Sequence, residues 1–212
     1  MKYNFLVIEG NIGSGKTNLA KKIAADFNAK IILEEFSNNP FLPKFYKEAD
    51  KNALPLELFF MAERFQQLNN TKNTFDLFSD KIVSDYSFFK SKLFAQNNLK
   101  EDELNLFNRL YNIMFTSVKS PDLLVYIHSN VERLQENIKK RGRNFEQEIK
   151  DEYLKSLEEK YFDYLKKQRD FPVLIIDVSS IDFVRNEKSY KQIIDEINLI
   201  DDEEQIRSII LD

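Results

Sequence analysis

The chain has 212 residues, 42% hydrophobic and 31% charged, enough apolar material for a sizeable core and for one domain or one domain with a lid. Lys and Arg number 31 against 35 Asp and Glu, and the net charge of −4 excludes the basic surface that bulk nucleic-acid or membrane binding needs. The absence of cysteine excludes disulfides, thiolate metal sites and cysteine nucleophiles, and no apolar run reaches signal-peptide or membrane-span length, so a cytoplasmic protein is expected.

In chain order, residues 3–8 (Tyr-Asn-Phe-Leu-Val-Ile) read as a buried strand. A glycine-containing loop follows, and Leu19, Ala20, Ile23, Ala24 and Phe27 then recur at helical spacing. Residues 30–34 predict a second strand, Lys81–Ser84 a third, Leu123–Ile127 a fourth and Val173–Ile176 a fifth. Helical patterns separate most of them: residues 56–69, the series Leu104, Phe107, Tyr111, Met114 and Val118, and residues 147–167. Another helix opens with Ser129 and Glu132 in capping-box spacing and continues through Leu134 and Ile138. Strands alternating with helices predict an α/β fold: a five-stranded parallel sheet with helices on both faces. Beyond Asp201–Glu204, the short apolar tail Ile206, Ile209, Ile210 reads as a docking helix or a frayed end. No repeat, low-complexity tract or Pro/Gly linker divides the chain, so residues 1–212 are expected to form one domain, with an acidic tail over 200–212.

Only 4 glycines occur, where an average chain of this length carries about fifteen. Three belong to Gly10-Asn11-Ile12-Gly13-Ser14-Gly15-Lys16-Thr17, which fits G-x-x-x-x-G-K-[ST] between a strand and a helix. In a P-loop of this kind, backbone N–H groups turn inward on phosphate oxygens and the helix N-terminus adds partial positive charge. Lys16 is placed to reach the β- and γ-phosphates and Thr17 to ligate Mg²⁺, so ATP and Mg²⁺ are the expected cofactors of a P-loop NTPase fold. A P-loop does not specify the acceptor. In open α/β sheets the ligand lies across the carboxyl ends of the strands, where Glu34, Glu35, Asp85 and Asp177 gather. One such carboxylate can take a proton from an attacking hydroxyl and another can hold Mg²⁺.

The fourth glycine stands in Lys139-Lys140-Arg141-Gly142-Arg143. Cations complementing a helix C-terminus explain the run in part. The functional reading is a lid over 139–147 whose Arg141 and Arg143 close on the transferring phosphoryl group, with Gly142 allowing the bend. His128, the single histidine, has no second ligand beside it and reads as structural. Phe88, Phe89 and Phe94 suit base stacking or simple packing equally well. No N-K-x-D element is present, which excludes a GTPase switch.

These residues resemble the deoxynucleoside kinase family, P-loop enzymes that phosphorylate the 5′-hydroxyl of deoxynucleosides, over roughly residues 3–180. Ile8 to Thr17 looks like the family's opening almost letter for letter, and Glu34, in Glu34-Glu35-Phe36, stands where the family has its catalytic base. The resemblance puts Tyr46 at the sugar 3′-hydroxyl and matches Arg141-Gly142-Arg143-Asn144-Phe145-Glu146 to the lid pattern R-x-R-x-x-E, with the arginines on phosphate and Glu146 on the 3′-hydroxyl. It also implies a homodimer. Two substrate positions depart from the family. Asp85-Tyr86-Ser87 keeps the Mg²⁺-side acid but has Tyr86 in place of the arginine beside the reacting oxygen. Glu57 replaces a base-pairing glutamine; an ionised glutamate only accepts hydrogen bonds, which favours a base edge rich in N–H donors, such as that of guanine.

The implied activity is ATP-dependent 5′-phosphorylation of a deoxynucleoside, preferably a purine, in nucleotide salvage, with Glu34, Lys16, Arg141 and Arg143 catalytic, Tyr46, Glu57, Tyr86 and Glu146 on the substrate, and Thr17 and Asp85 on the metal. The competing readings are a nucleoside monophosphate kinase, which needs extra cations for the acceptor's own phosphate, and a nucleotide-binding interaction module that has lost catalysis.

Overall fold

The computed structural model describes residues 1–35, 39–73, 81–200 and 204–211. Its centre is β1 (Phe5–Gly10), and the sheet runs in the order β2 (Lys30–Ile32), β3 (Ile82–Ser84), β1, β4 (Leu123–His128), β5 (Val173–Asp177), β6 (Ile206–Ile210), with every neighbour pair parallel. β1 is apolar on both faces because both are covered. Leu6 and Ile8 share a core with Leu19, Ala20 and Ile23 of α1 (Lys16–Asp26) and with Tyr190, Ile193 and Ile197 of α8 (Glu187–Leu199). Phe5 and Val7 join the opposite core, supplied by α3 (Ala49–Asn73), α4 (Phe89–Asn98), α5 (Glu101–Phe115) and α7 (Asp151–Lys167) through Met61, Leu93, Phe107 and Tyr161. A short α2 (Leu42–Phe45) and α6 (Val131–Arg141) complete the set. The chain steps from β1 outward to β2, returns to β3 beside β1, then crosses to β4 on the other side. This reversal at the C-terminal end of β1 is where an α/β sheet opens a crevice.

Three sequence-based expectations change. The sheet has six strands rather than five, because the apolar tail is β6, registered Val173↔Ile206 through Asp177↔Ile210. An isoleucine-rich segment of that length satisfies the otherwise unpaired edge of β5, which a helix or a frayed end would leave open. The acidic residues 201–203 before it lie outside the described residues. The cap of α6 is Asn130 rather than Ser129: Asn130 Oδ1 accepts from Arg133 N at 2.9 Å, satisfying a donor of the first turn. Finally, α3 starts at Ala49 and carries Pro55 inside it, where the apolar periodicity places its start after the proline.

Candidate active site

The loop from β1 into α1 has a left-handed backbone at Gly13 (φ +86°) and Gly15 (φ +90°). A Cβ at Gly13 would lie 2.7 Å from the carbonyl oxygen of Leu134, and one at Gly15 would lie 2.8 Å from the Phe183 ring. The loop is pinned from two helices. Asn137 of α6 donates to Gly13 O at 2.8 Å, and Asn11 donates through Nδ2 to Leu154 O of α7 at the same distance. Lys16 opens α1, and its Nζ donates to Asn11 O at 3.2 Å. The Ser14 hydroxyl is buried and without a hydrogen-bond partner among the described residues. A bound phosphate satisfies such an orphan, and this supports the cradle reading.

Thr17 Oγ1 donates to Asp85 Oδ2 at 2.5 Å, and Asp85 Oδ1 accepts from the backbone N–H of Glu34 at 2.8 Å. Asp85 thus couples the P-loop helix to the end of β2. The hydroxyl and carboxylate are hard oxygen donors on the first turn of α1, the type Mg²⁺ takes alongside phosphate oxygens. Among the described residues no cluster of three or more His, Cys, Asp or Glu could hold a metal by itself.

Two cavities meet at this point. One runs over the loop past Arg133 and Asn137 to the segment containing Phe183 and Arg185. The other lies between α3, α4 and the start of α7, walled by Glu34, Tyr46, Glu57, Arg64, Lys90 and Glu146. Lys16, Arg141 and Arg143 border both. Cations therefore stand where a phosphoryl group would pass from one cavity to the other. Arg141 donates to Glu146 Oε2, and Arg143 donates to Glu146 Oε1 at 3.0 Å, so the guanidiniums are held in place by a buried carboxylate. Gly142 ends α6 at φ +72°, which turns the second arginine back toward the first.

Glu34 faces the second cavity and is gripped by cations. Arg64 donates to Oε1 from Nε at 2.9 Å and from Nη2 at 2.6 Å, while Lys90 donates to Oε2 at 2.7 Å. Burial alone would raise its pKa, but Lys90, Arg64 and Lys16 outweigh burial and hold the carboxyl far below the usual range. Lys16 moves down to about 8, through burial first and the facing Lys90 charge second. Glu57 behaves oppositely. Burial pushes it up to about 7, although Arg64 and a hydrogen bond from Asn98 Nδ2 at 2.7 Å pull it down. Its Oε2 is buried with no partner among the described residues. Burial, and then the charge of Glu146, raises Tyr46, which packs against the Phe145 ring with centroids 6.2 Å apart.

Lys16, Glu34, Tyr46, Glu57, Arg141, Arg143 and Glu146 thus come together around one cleft. Tyr86 does not. It is fully buried, and its hydroxyl donates to Gln67 Oε1 at 2.6 Å, so it packs behind the cleft instead of facing an acceptor. A bulky ring at a strand end is worth more in the core than in a polar cleft. Asp177 is also elsewhere: it pairs with His128 Nδ1 at 2.8 Å and accepts from Ser179 N at 2.9 Å, while His128 Nε2 meets Glu158 at 2.6 Å, in keeping with a structural histidine. Phe88 and Phe89 stack in the core on Tyr111 and Tyr164, whereas Phe94 walls the second cavity. Arg64 and Lys90, the two partners of Glu34, escaped the sequence reading, as did Asn98 and Arg133. The signal was the helical face Lys90, Phe94, Asn98 on α4, spaced by four residues.

A parallel sheet with a phosphate cradle at its reversal point, facing a carboxylate across a cation-lined cleft, defines a P-loop phosphotransferase. The family model for deoxynucleoside kinases matches residues 6–200, and the chain belongs to that family. It is 33% identical over 193 residues to a deoxyguanosine kinase of Bacillus subtilis, covering 89% of this chain and 93% of the relative. It is 31% identical over 206 residues to a deoxyadenosine kinase of Lactobacillus acidophilus, covering 91% and 94%. The solved deoxyadenosine kinase of M. mycoides with products dCMP and a flexible dCDP bound superposes with a TM-score of 0.79 at 25% identity, over 92% of this chain and 99% of that one. The same enzyme with bound dATP gives 0.77 at 25% identity, over 91% and 98%.

Proposed function

We propose that this chain transfers the γ-phosphoryl group of ATP to the 5′-hydroxyl of a purine deoxynucleoside, deoxyguanosine foremost, as a cytoplasmic salvage enzyme. The observation that carries the reading is Glu34 facing the P-loop lysine across the acceptor cleft, with Lys16, Arg141 and Arg143 bordering both cavities. The nucleoside occupies the cleft between α3, α4 and the start of α7, and the triphosphate the cradle of residues 10–17. Glu34 takes the 5′-hydroxyl proton, Lys16 holds the phosphates, and Arg141 and Arg143 meet the charge that spreads over the transferring group. Thr17 and Asp85 would hold Mg²⁺, which supplies neutralisation of the β- and γ-phosphate oxygens when bound. Tyr46 and Glu146 bind the sugar 3′-hydroxyl.

The partnerless Glu57 oxygen supports guanine, because an ionised carboxylate in a buried pocket gains most from a ligand presenting two N–H donors. The similar proteins named above are deoxynucleoside kinases, which supports an acceptor that carries no phosphate of its own. Residues 1–212 work as one kinase domain with 139–147 as its lid. We also propose a homodimer through α5, supported by its outward apolar stripe: Leu106, Leu110 and Ile113 are 47%, 36% and 72% exposed. Among the described residues no helix is long and apolar enough to cross a membrane.

A panel of the natural deoxynucleosides and their monophosphates, assayed with ATP and Mg²⁺, tests the reading. Deoxyguanosine should turn over fastest and the monophosphates should be inert. Faster phosphorylation of thymidine or deoxycytidine, or of any monophosphate, would overturn it.

A further inference from the structure

The reaction described above leaves the two cations on Glu34 without a role of their own. A base held by an ammonium and a guanidinium is weakened as a base, so their presence at the reacting carboxylate calls for a compensating gain in the transition state. The two are not equivalent. Arg64 is committed: Nε and Nη2 go to Glu34 Oε1 and Nη1 goes to Ser91 Oγ at 2.9 Å. Lys90 has three N–H donors and, among the described residues, makes one hydrogen bond, to Glu34 Oε2 at 2.7 Å. Its side chain is 5% exposed, its ammonium stands 5.5 Å from the centre of the Phe94 ring, and it walls the acceptor cavity along with Lys16. The charges of Lys90 and Lys16 act on each other, and both act on Glu34. Position 86 contributes no charge to this cleft, since its tyrosine is turned to Gln67.

We propose that Lys90 is a further catalytic cation, which leaves Glu34 as that carboxylate takes the proton and donates to the oxygens of the phosphoryl group in transfer. The inference rests on the acceptor-site reading above. The 5′-O–H bond breaks with its proton going to Glu34 Oε2, and the oxygen lone pair forms the new O–P bond. The bond between phosphorus and the bridging oxygen breaks with its electron pair leaving on ADP. Lys90 keeps its protons throughout and changes only its partner. Neutralising Glu34 weakens the pair at the moment when negative charge gathers on the phosphoryl oxygens, so the ammonium's interaction is stronger in the transition state than before it.

Three variants test this: Lys90→Met, Lys90→Gln and Lys90→Arg. The readouts are kcat and KM for deoxyguanosine, the pH profile of kcat, and trapping of a transition-state mimic from ADP, Mg²⁺, aluminium fluoride and deoxyguanosine. Lys90→Met is expected to lower kcat about 10²–10³-fold with KM changed only a few-fold, to move the acid limb of the profile upward, and to abolish trapping while ADP and deoxyguanosine still bind. Lys90→Arg should stay within about tenfold of the parent protein, because the charge is kept. If Lys90→Met fails to fold by circular dichroism, Lys90→Gln, which keeps a hydrogen-bond donor for Oε2, is read by the same criteria. Unchanged kcat, or a fall in kcat with trapping intact, overturns the proposal; the latter means that Lys90 merely positions Glu34. If the parent protein phosphorylates no deoxynucleoside, the underlying site assignment is what fails.

Discussion

Glu34 and Glu57 lie in the same cleft and are driven in opposite directions, one by cations and the other by burial. Glu34→Gln keeps the shape and removes the proposed proton acceptor. It should lower kcat roughly 10²–10⁴-fold while ATP affinity, measured by calorimetry, stays within a few-fold. Glu57 gives a prediction in pH. Its folded pKa of about 7 lies above the ordinary 4.5, so the native chain holds a proton that the unfolded chain has released between those values. Stability from this group is full below pH 4.5 and is lost as pH rises through 7. Glu57→Gln should therefore raise stability relative to the parent chain by up to roughly 3 kcal/mol at pH 8–9 and by little at pH 4, as read from urea melts. In the proposed reading deoxyguanosine needs the ionised acceptor, so kcat/KM for it relative to deoxyadenosine should climb from pH 6 to pH 8 in the parent protein and stay flat in the glutamine variant. A flat ratio in the parent protein would remove Glu57 as the base reader.

At the scale of elements, the site is an arrangement of helix faces against one loop. Glu57, Phe60 and Arg64 occupy one stripe of α3, and Lys90, Phe94 and Asn98 one stripe of α4, so both cleft walls follow from helical spacing. Sequence inspection found Glu57 through a family pattern but not Arg64 or Lys90, because a charged residue in an apolar-aromatic segment looks like an ordinary solvated side chain until its partner is known. The loop is less tolerant than the helices. A methyl group at Gly13 would meet backbone, the Leu134 carbonyl at 2.7 Å, which cannot swing aside as a side-chain tip can. Gly13→Ala should weaken ATP binding at least about tenfold by opening the cradle. Calorimetric titration with ATP checks it, and unaltered affinity would show that α6 yields by a small shift. The Arg141–Glu146–Arg143 cluster shows the same dependence on context. The sequence pattern named all three residues, but only the fold shows one buried carboxylate holding both guanidiniums between the two cavities.

For the molecule as a whole, the apolar stripe on α5 predicts assembly. Sedimentation equilibrium should give twice the chain mass of 25.2 kDa, and Leu110→Asp should shift the population to monomer with the secondary structure retained. A monomeric parent protein at micromolar concentration would refute the dimer. What the sequence by itself determined was everything governed by local pattern: alternating strands and helices, the P-loop with its lysine and threonine, the strand-end acids and the arginine-rich turn. Those signals are contiguous, and short-range sterics and periodicity write them directly into residue order. Among the strand-end acids the family resemblance singled out Glu34 and Asp85, and the tertiary structure decided which of them the P-loop meets. Glu34 and Asp85 join it, while Asp177 is taken by His128. It alone turned Tyr86 inward, made the tail a sixth strand and brought Arg64 and Lys90 onto Glu34. These outcomes depend on pairing across 19 or more residues, where the competition between burial, charge and available edges is settled only when the layers pack.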